Sequence, residues 1–169
     1  MPLHIPFGRP LLKKIEIAIK LSCFIHFIGE HVMEVTMCIG PSMLPTFNTV
    51  GDLVVLEHFS PKLKRLEIGD VIVCISPTNP LRAVCKRIIG MPGDRICIDP
   101  TVINRKYITV PRGHVWLQGD NMSNSTDSRS YGPVPYALIR GRVFARIWPQ
   151  SCWIKNGMTP LQENKQQSS

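Results

Sequence analysis

Residues 84–94 read VCKRIIGMPGD, a β-branched run that stops at a glycine and turns through Pro-Gly-Asp. Side chains alternate between the two faces of a strand, so Lys86 shares one face with Val84 and Ile88. Outward from this run, short apolar segments alternate with Gly-Asp pairs that mark turns. The sequence therefore predicts a mainly β domain built of several small antiparallel sheets.

The predicted strands are short and separated by turn residues, in a chain with 15 prolines and 12 glycines. They lie at residues 35–39, 53–56, 71–75, 83–89, 95–98, 107–110, 115–118 and 142–148. No long helical period follows residue 40, and we place the β domain at residues 35–152. The polar tail at residues 153–169 shows no period and is predicted to be disordered.

Residues 1–34 differ from the rest and are predicted to form a membrane-associated helix. Basic Arg9, Lys13 and Lys14 precede an apolar stretch at residues 15–37, which charged residues interrupt. We favour a spanning or partly inserted anchor. A surface-lying amphipathic helix and a cleaved targeting peptide are the alternatives. If the helix spans, its basic flank keeps the N-terminus on the matrix or cytoplasmic side.

The charge and the cysteines limit the choice of partners. The formal net charge of +8 fits either a nucleic-acid partner or an anionic membrane.

The six cysteines form no C-x-x-C pair, which argues against a zinc ribbon or a thioredoxin-like motif, and we expect most of them to be buried thiols. Cys23, His26 and His31 are the only metal-site candidates considered, and we expect no metal and no other cofactor.

Lys86 is a candidate general base because β-branched neighbours flank it on its strand face. Desolvation lowers the pKa of a lysine, since burial disfavours the charged form. To act near neutrality, the pKa must fall by ~3 units from ~10.4. A neutral lysine then accepts the proton of a serine hydroxyl. The alternative is a surface lysine whose stem covers apolar surface.

Two predicted loops contain further candidate residues for a catalytic site. Ser42 lies between two prolines in the stretch GPSMLPTF at residues 40–47, which taken alone predicts an exposed serine in a stiff loop. The polar stretch 119–133 predicts a surface loop. Within it, Asp127 and Arg129 are expected to pair and brace the loop, and Ser125 to present its hydroxyl to a neighbouring amine.

The three segments together, in this order, resemble the signal peptidase I family, whose catalytic pair is a serine and a lysine. The matching stretches are Ser42-Met43-Leu44-Pro45, then Lys86-Arg87 with Gly90-Met91-Pro92-Gly93-Asp94, then Gly119-Asp120-Asn121 with Asp127-Ser128-Arg129. The resemblance covers roughly residues 35–149 and implies a signal-peptidase-like fold.

The resemblance also implies roles for individual residues. Ser42 attacks the scissile carbonyl, and Lys86 takes its proton and later gives one to the leaving amine. Ser125 corresponds to a third hydroxyl that orients the lysine. Asp127 and Arg129 correspond to a supporting ion pair.

The substrate side of the site departs from the family pattern at one position. The backbone N–H of Ser42 is expected to hold the oxyanion. Many bacterial relatives add a serine hydroxyl where this chain has Gly40, so the second donor is unidentified. Gly40, Met43 and Leu44 are the residues expected to contact the substrate.

Within the family, the chain resembles the compact mitochondrial inner-membrane members. Only about 25 residues separate Asp94 from Gly119, so the extra β domain of bacterial relatives is largely absent. The resemblance implies a catalytic domain facing the intermembrane space, inner-membrane lipids and a related protease subunit 2 as partners, and no nucleic acid. The implied substrates are precursor proteins with hydrophobic sorting signals. The alternatives are a non-catalytic basic β module that binds membrane or nucleic acid, and a Ser-Lys autoprotease domain.

Overall fold

The computed structural model of the protein describes residues 9–99 and 103–156. Within these residues lie three α-helices, α1 (Arg9–His31), α2 (Phe59–Lys62) and α3 (Ser128–Tyr131). The strands are β1 (Met33–Cys38), β2 (Asp52–Glu57), β3 (Val71–Ile75), β4 (Ala83–Gly90), β5 (Arg95–Cys97), β6 (Tyr107–Thr109), β7 (His114–Gln118), β8 (Val134–Pro135), β9 (Ile139–Trp148) and β10 (Cys152–Trp153).

The protein is mainly β, as predicted, but its strands form one large sheet and one hairpin. The large sheet has the order β1-β2-β9-β3-β4-β7-β8, with β10 added to β9, and every pairing is antiparallel. β5 and β6 pair separately. The expectation of several small sheets is wrong because β9, with 10 residues, pairs with β2 on one side and with β3 on the other.

Each of the eight predicted strands overlaps an observed strand, with ends that differ by at most a few residues. The two strands that the sequence did not predict, β8 and β10, have two residues each. Trp153 pairs with Ala145 and the N–H of Ile154 donates to the Phe144 carbonyl at 2.9 Å, so the first residues of the predicted tail are ordered. The rest of that tail, 157–169, lies outside the described residues.

Buried apolar side chains cover the centre of the sheet on both faces, which explains why β3 reads as a continuous apolar run. One cluster contains Leu66, Ile72, Cys74, Ile88, Val115, Leu117, Val134 and Ile139. The other contains Met43, Phe47, Val54, Leu56, Val71, Val73 and Val143. Each fully buried aliphatic side chain contributes ~1.5–3 kcal/mol. Lys86 on β4 is flanked by Ile72 and Ile88, which belong to the first of these clusters.

The N-terminal helix exists but lies apart from this core. Its large apolar side chains are exposed: Leu11, Leu12, Ile15, Ile17, Ile19, Leu21, Phe24, Ile25 and Phe27. The expectation of a spanning anchor finds no support, because within the described residues no helix is both long enough and apolar enough to cross a membrane. Residues 1–8 of the predicted segment lie outside the description.

The expectation that most cysteines are buried is wrong. Cys74 is buried in β3, while Cys38, Cys85 and Cys97 are half-buried. Cys23 on α1 and Cys152 on β10 are exposed, because both belong to elements at the periphery of the sheet. All six are free thiols.

Candidate active site

A cavity of about 140 Å³ lies between the end of β1 and the start of β4, and both Ser42 and Lys86 line it. In the sheet, β2, β9 and β3 separate these two strands. Only the curling of the sheet brings them to one cavity. The structure thus places the predicted nucleophile and the predicted base together, although no hydrogen bond joins the Ser42 hydroxyl to the Lys86 amine.

Ser42 occupies the middle of a 3₁₀ turn, Pro41–Met43, that follows β1. The next residue, Met43, is 3% exposed and packs in the core, and Phe47 beyond it is also buried. The Leu44 N–H donates to the Pro41 carbonyl at 3.2 Å. Core packing on one side of the turn therefore holds half-buried Ser42 against the cavity.

Gly40 begins this turn with a φ of 118°, in the region that favours glycine. A Cβ added there would meet no heavy atom within 4 Å. The backbone conformation, and not lack of space, is what requires glycine. A serine at this position would be strained by the backbone conformation.

Lys86 is 3% exposed and lies on β4 opposite Ile72 of β3. Its strand neighbours on the same face are half-buried Val84 and fully buried Ile88, as the alternation predicted. Burial lowers the pKa of Lys86, and the Asp127 carboxylate acts against that shift. Its amine makes no hydrogen bond and no ion pair with any residue in the described ranges. Such a lysine loses its proton more readily than a solvated one.

The loop after β7 is braced by an ion pair. Arg129 Nε lies 2.9 Å from Asp127 Oδ1, and Asp127 is fully buried. The Gly119 N–H donates to Asp127 Oδ2 at 3.0 Å, and Arg129 Nη2 donates to the Met122 carbonyl at 2.7 Å. Burial raises the pKa of Asp127, but the hydrogen bonds from Arg129 and Gly119 outweigh burial and place its pKa below the usual value. The charge on Asp127 is therefore stabilised within this loop.

This loop also contacts the Ser42 turn directly. The Asn121 N–H donates to the Ser42 carbonyl at 3.0 Å, and Asn121 Nδ2 donates to the Pro41 carbonyl at 3.1 Å. A Cβ on Gly119 would come within 2.5 Å of the Ser42 carbonyl oxygen and 2.3 Å of Ser125 Oγ. Glycine is required at residue 119 because two segments of the site approach its backbone.

Ser125 lies in the same junction. Its Oγ is buried and satisfies the geometry of a hydrogen bond with none of the described residues, although it lies close enough to Asp127 to help lower the pKa of that carboxyl. The predicted contact between this hydroxyl and the Lys86 amine is not a hydrogen bond in this structure. An unsatisfied buried hydroxyl calls for an explanation, and a role in the site is one.

A second ion pair, which the sequence did not predict, lies on the opposite face of β4. Arg87 donates from Nε to Asp120 Oδ1 at 2.8 Å and from Nη2 to Asp120 Oδ2 at 2.7 Å. It also donates to the Gly69 carbonyl at 2.7 Å, and Thr46 Oγ1 donates to Asp120 at 2.5 Å. These contacts tie the Ser42 loop, β4 and the Gly119 loop together. Strand alternation, which separates Arg87 from Lys86, was the available signal.

The remaining predicted residues are the substrate contacts and the candidate metal ligands, and only some of them lie where the sequence predicted. Gly40 and Met43 line the cavity, whereas Leu44 does not. Within residues 9–99 and 103–156, no group of three or more potential metal ligands comes together, so Cys23, His26 and His31 form no such group.

Comparisons with known proteins find relatives that match most of the chain. The family profile described as "Signal peptidase, peptidase S26" matches residues 11–109 and 100–148. The chain is 49% identical over 139 residues to mitochondrial inner membrane protease subunit 1 of Schizosaccharomyces pombe, covering 82% of this chain and 88% of that protein. The human protein of the same name is 47% identical over 134 residues, covering 79% and 80%. Mitochondrial inner membrane protease subunit 2 of Danio rerio is 38% identical over 118 residues, covering 68% and 63%.

Proposed function

This chain belongs to the signal peptidase family of S26 peptidases and is a serine peptidase, and we propose that Ser42 is its nucleophile and Lys86 its general base. One observation carries the proposal. The amine of Lys86 is buried without a counter-ion among the described residues, in the cavity that Ser42 also lines. A buried cation without a partner is costly unless it loses its proton.

In the proposed mechanism, neutral Lys86 accepts the proton of Ser42 Oγ while this oxygen attacks the scissile carbonyl. The protonated amine then gives a proton to the leaving amine, and water hydrolyses the acyl-enzyme with Lys86 again as base. The two side chains are not hydrogen-bonded here. Catalytic hydrogen bonds often tighten only when substrate is bound.

The neighbouring residues take supporting roles in this proposal. Ser125 orients the amine of Lys86, and its buried hydroxyl also helps to lower the pKa of Asp127. The Asp127–Arg129 pair holds the loop that carries Ser125. The Ser42 N–H serves as an oxyanion donor, and the turn that Asn121 fixes sets its direction.

The proposed substrates are precursor proteins with hydrophobic sorting signals, which the enzyme cleaves in the mitochondrial intermembrane space. Two features support this proposal. The relatives are named mitochondrial inner membrane proteases, and apolar Met43, Phe47, Val73 and Val84 line the cavity. Gly40, Met43 and Leu44 are the proposed substrate contacts.

We further propose that the protein works at the inner membrane with a related subunit 2 and without nucleic acid. A relative named subunit 2 supports the pairing. The exposed apolar side chains of α1 support contact with lipids, with the helix lying on the membrane surface. The catalytic domain then faces the intermembrane space.

A pH–rate profile tests the assignment of the base. We expect kcat/KM on a precursor peptide to rise with pH along one ionisation, because only neutral Lys86 accepts the proton. The midpoint should lie below the ~10.4 of a free lysine, since burial lowers the pKa of Lys86. Ser42→Ala sets the background rate. A flat profile, or near-normal turnover by Ser42→Ala, contradicts the dyad, and His114 or His58 would be the next candidate bases.

A further inference from the structure

Two cysteines line the same cavity as Ser42 and Lys86. Cys38 is the last residue of β1, and Cys85 directly precedes Lys86 on β4. Both are half-buried free thiols that pack against the same core cluster, next to Met43. β1 and β4 are not neighbours in the sheet, so the curl that assembles the cavity also brings these two thiols together.

The two thiols lie close enough that each changes the pKa of the other, which sets their chemistry apart. The pKa of Cys38 is lowered because the Cys85 thiol donates a hydrogen bond to it. The same contact, together with burial, raises the pKa of Cys85. The thiolate is the reactive form of cysteine, so Cys38 is the better nucleophile of the pair.

We propose that Cys38 and Cys85 form a reversible disulfide that ties β1 to β4 across the cavity and switches the peptidase off. The inference rests on the proposed function, because it regulates the site that contains Ser42 and Lys86.

The chemistry requires a disulfide oxidant, for which oxidised glutathione serves. The Cys38 thiolate attacks one sulfur of glutathione disulfide and expels one glutathione thiolate. The Cys85 sulfur then attacks the Cys38 sulfur, breaks the mixed disulfide and expels the second glutathione thiolate. The protein loses two electrons and two protons, and glutathione disulfide is reduced to two thiols.

The bond would move the two groups that perform the proposed chemistry. A disulfide requires an S–S length of ~2.05 Å, shorter than any contact between two unbonded thiols, so forming the bond draws β1 and β4 together. Cys85 is adjacent to Lys86, and Cys38 leads through Gly40 into the Ser42 turn. Misplacing a catalytic group by ~1 Å can cost ~100-fold in rate.

The other cysteines provide controls. Cys74 lies on the opposite face of β3 from Val73, the residue that pairs with Cys85, and burial raises its pKa to about 12. Cys23 and Cys152 are exposed on α1 and β10, away from the cavity lining.

The test uses the full-length protein in buffers that range from reduced to oxidised glutathione. One readout is peptide mapping by mass spectrometry for the Cys38–Cys85 cross-link, which does not depend on activity. The other is the ratio of precursor-cleavage rates in reduced and oxidised buffer. We expect the cross-link in oxidised wild type, with a rate ratio of ~100 that a dithiol reductant reverses.

Variants and controls separate the possible outcomes. Cys38→Ser should bring the rate ratio to about one, whereas Cys152→Ser should keep the wild-type ratio. Absence of the cross-link from oxidised wild type overturns the pair, and a cross-linked enzyme with unchanged rate overturns the switch. If reduced wild type is no faster than Ser42→Ala, the proposed function fails and the switch fails with it, while the cross-link readout still decides whether the disulfide forms.

Discussion

Lys86 and Arg87 are adjacent cations on one strand, and the two faces of β4 treat them in opposite ways. Lys86 is 3% exposed and has no acidic partner within ion-pair distance in the described ranges. The Arg87 side chain is 12% exposed and makes a two-fold contact with Asp120. Burial lowers the pKa of Lys86, whereas the hydrogen bonds that Arg87 donates to Asp120 raise the pKa of Arg87.

The comparison shows how one strand combines a structural and a chemical function. A buried cation with a well-placed carboxylate stays charged and holds its neighbours in place. A buried amine without such a partner is destabilised as a cation and becomes a base. Because adjacent residues of a strand lie on opposite faces, the surroundings on each face decide which role each cation takes.

Lys86→Arg should have the largest effect. A guanidinium stays charged at any usable pH, so the variant has no base and should lose more than ~10⁴-fold in kcat/KM. Single-turnover cleavage of a precursor peptide measures the loss. An active Lys86→Arg enzyme would show that residue 86 need not lose its proton, and the chemical difference between the two faces of β4 would then be disproved.

Ser125→Ala should lower kcat by roughly 100-fold, because Lys86 would lose the hydroxyl that orients its amine. The free energy of unfolding should change little, since Ser125 Oγ has no hydrogen-bond partner among the described residues. Ser123→Ala is the matched control, as Ser123 is exposed in the same loop. Equal kinetics for both variants would remove Ser125 from the site.

Arg87→Lys should reduce activity less than ~10-fold, while the free energy of unfolding falls by ~1–3 kcal/mol. The ammonium loses the two-fold contact with Asp120 but leaves Lys86 on the other face untouched. The midpoint of the pH–rate profile should therefore stay where it is. Urea unfolding and kcat/KM against pH provide the measurements, with Arg82→Lys on an exposed turn as control. A displaced midpoint would show that the two faces are coupled.

Lys86→Met should be the smallest effect, a stabilisation of ~1 kcal/mol that raises Tm by ~2–4 °C at neutral pH. The folded-state pKa of Lys86 is lowered, so its cost to folding is full at low pH and vanishes as pH rises through the unfolded value of ~10.4. The gain should therefore shrink in alkaline buffer, as thermal unfolding at several pH values would show. A destabilised variant would indicate that the amine has a partner that stabilises its charge.

The local pattern was sufficient for most individual elements and for part of the site. Alternation predicted that Lys86 shares its face with Val84 and Ile88, and the spacing of Asp127 and Arg129 predicted their ion pair. Neither inference needs a distant residue, because strand geometry and short loops relate neighbours in sequence directly.

Predictions that depended on contacts between residues far apart in sequence were less accurate. The single large sheet was missed because β9 pairs with strands far from it in sequence. The contact of Arg87 with Asp120 and Thr46 was missed for the same reason, since three separate segments meet there. The spanning anchor finds no support among the described residues, because charged residues such as Glu16 and Lys20 interrupt the apolar stretch.

The sequence by itself determined the strand pattern, the ordered motifs that identify the family, and the serine and lysine as candidates. The tertiary structure alone decided that Ser42 and Lys86 line one cavity, that Lys86 is buried without an ion-pair partner in the described ranges, and that Cys38 and Cys85 line that same cavity. The reason is physical: periodicity along a chain specifies which face a side chain takes, whereas burial and pairing depend on which distant strands the curl of the sheet brings together.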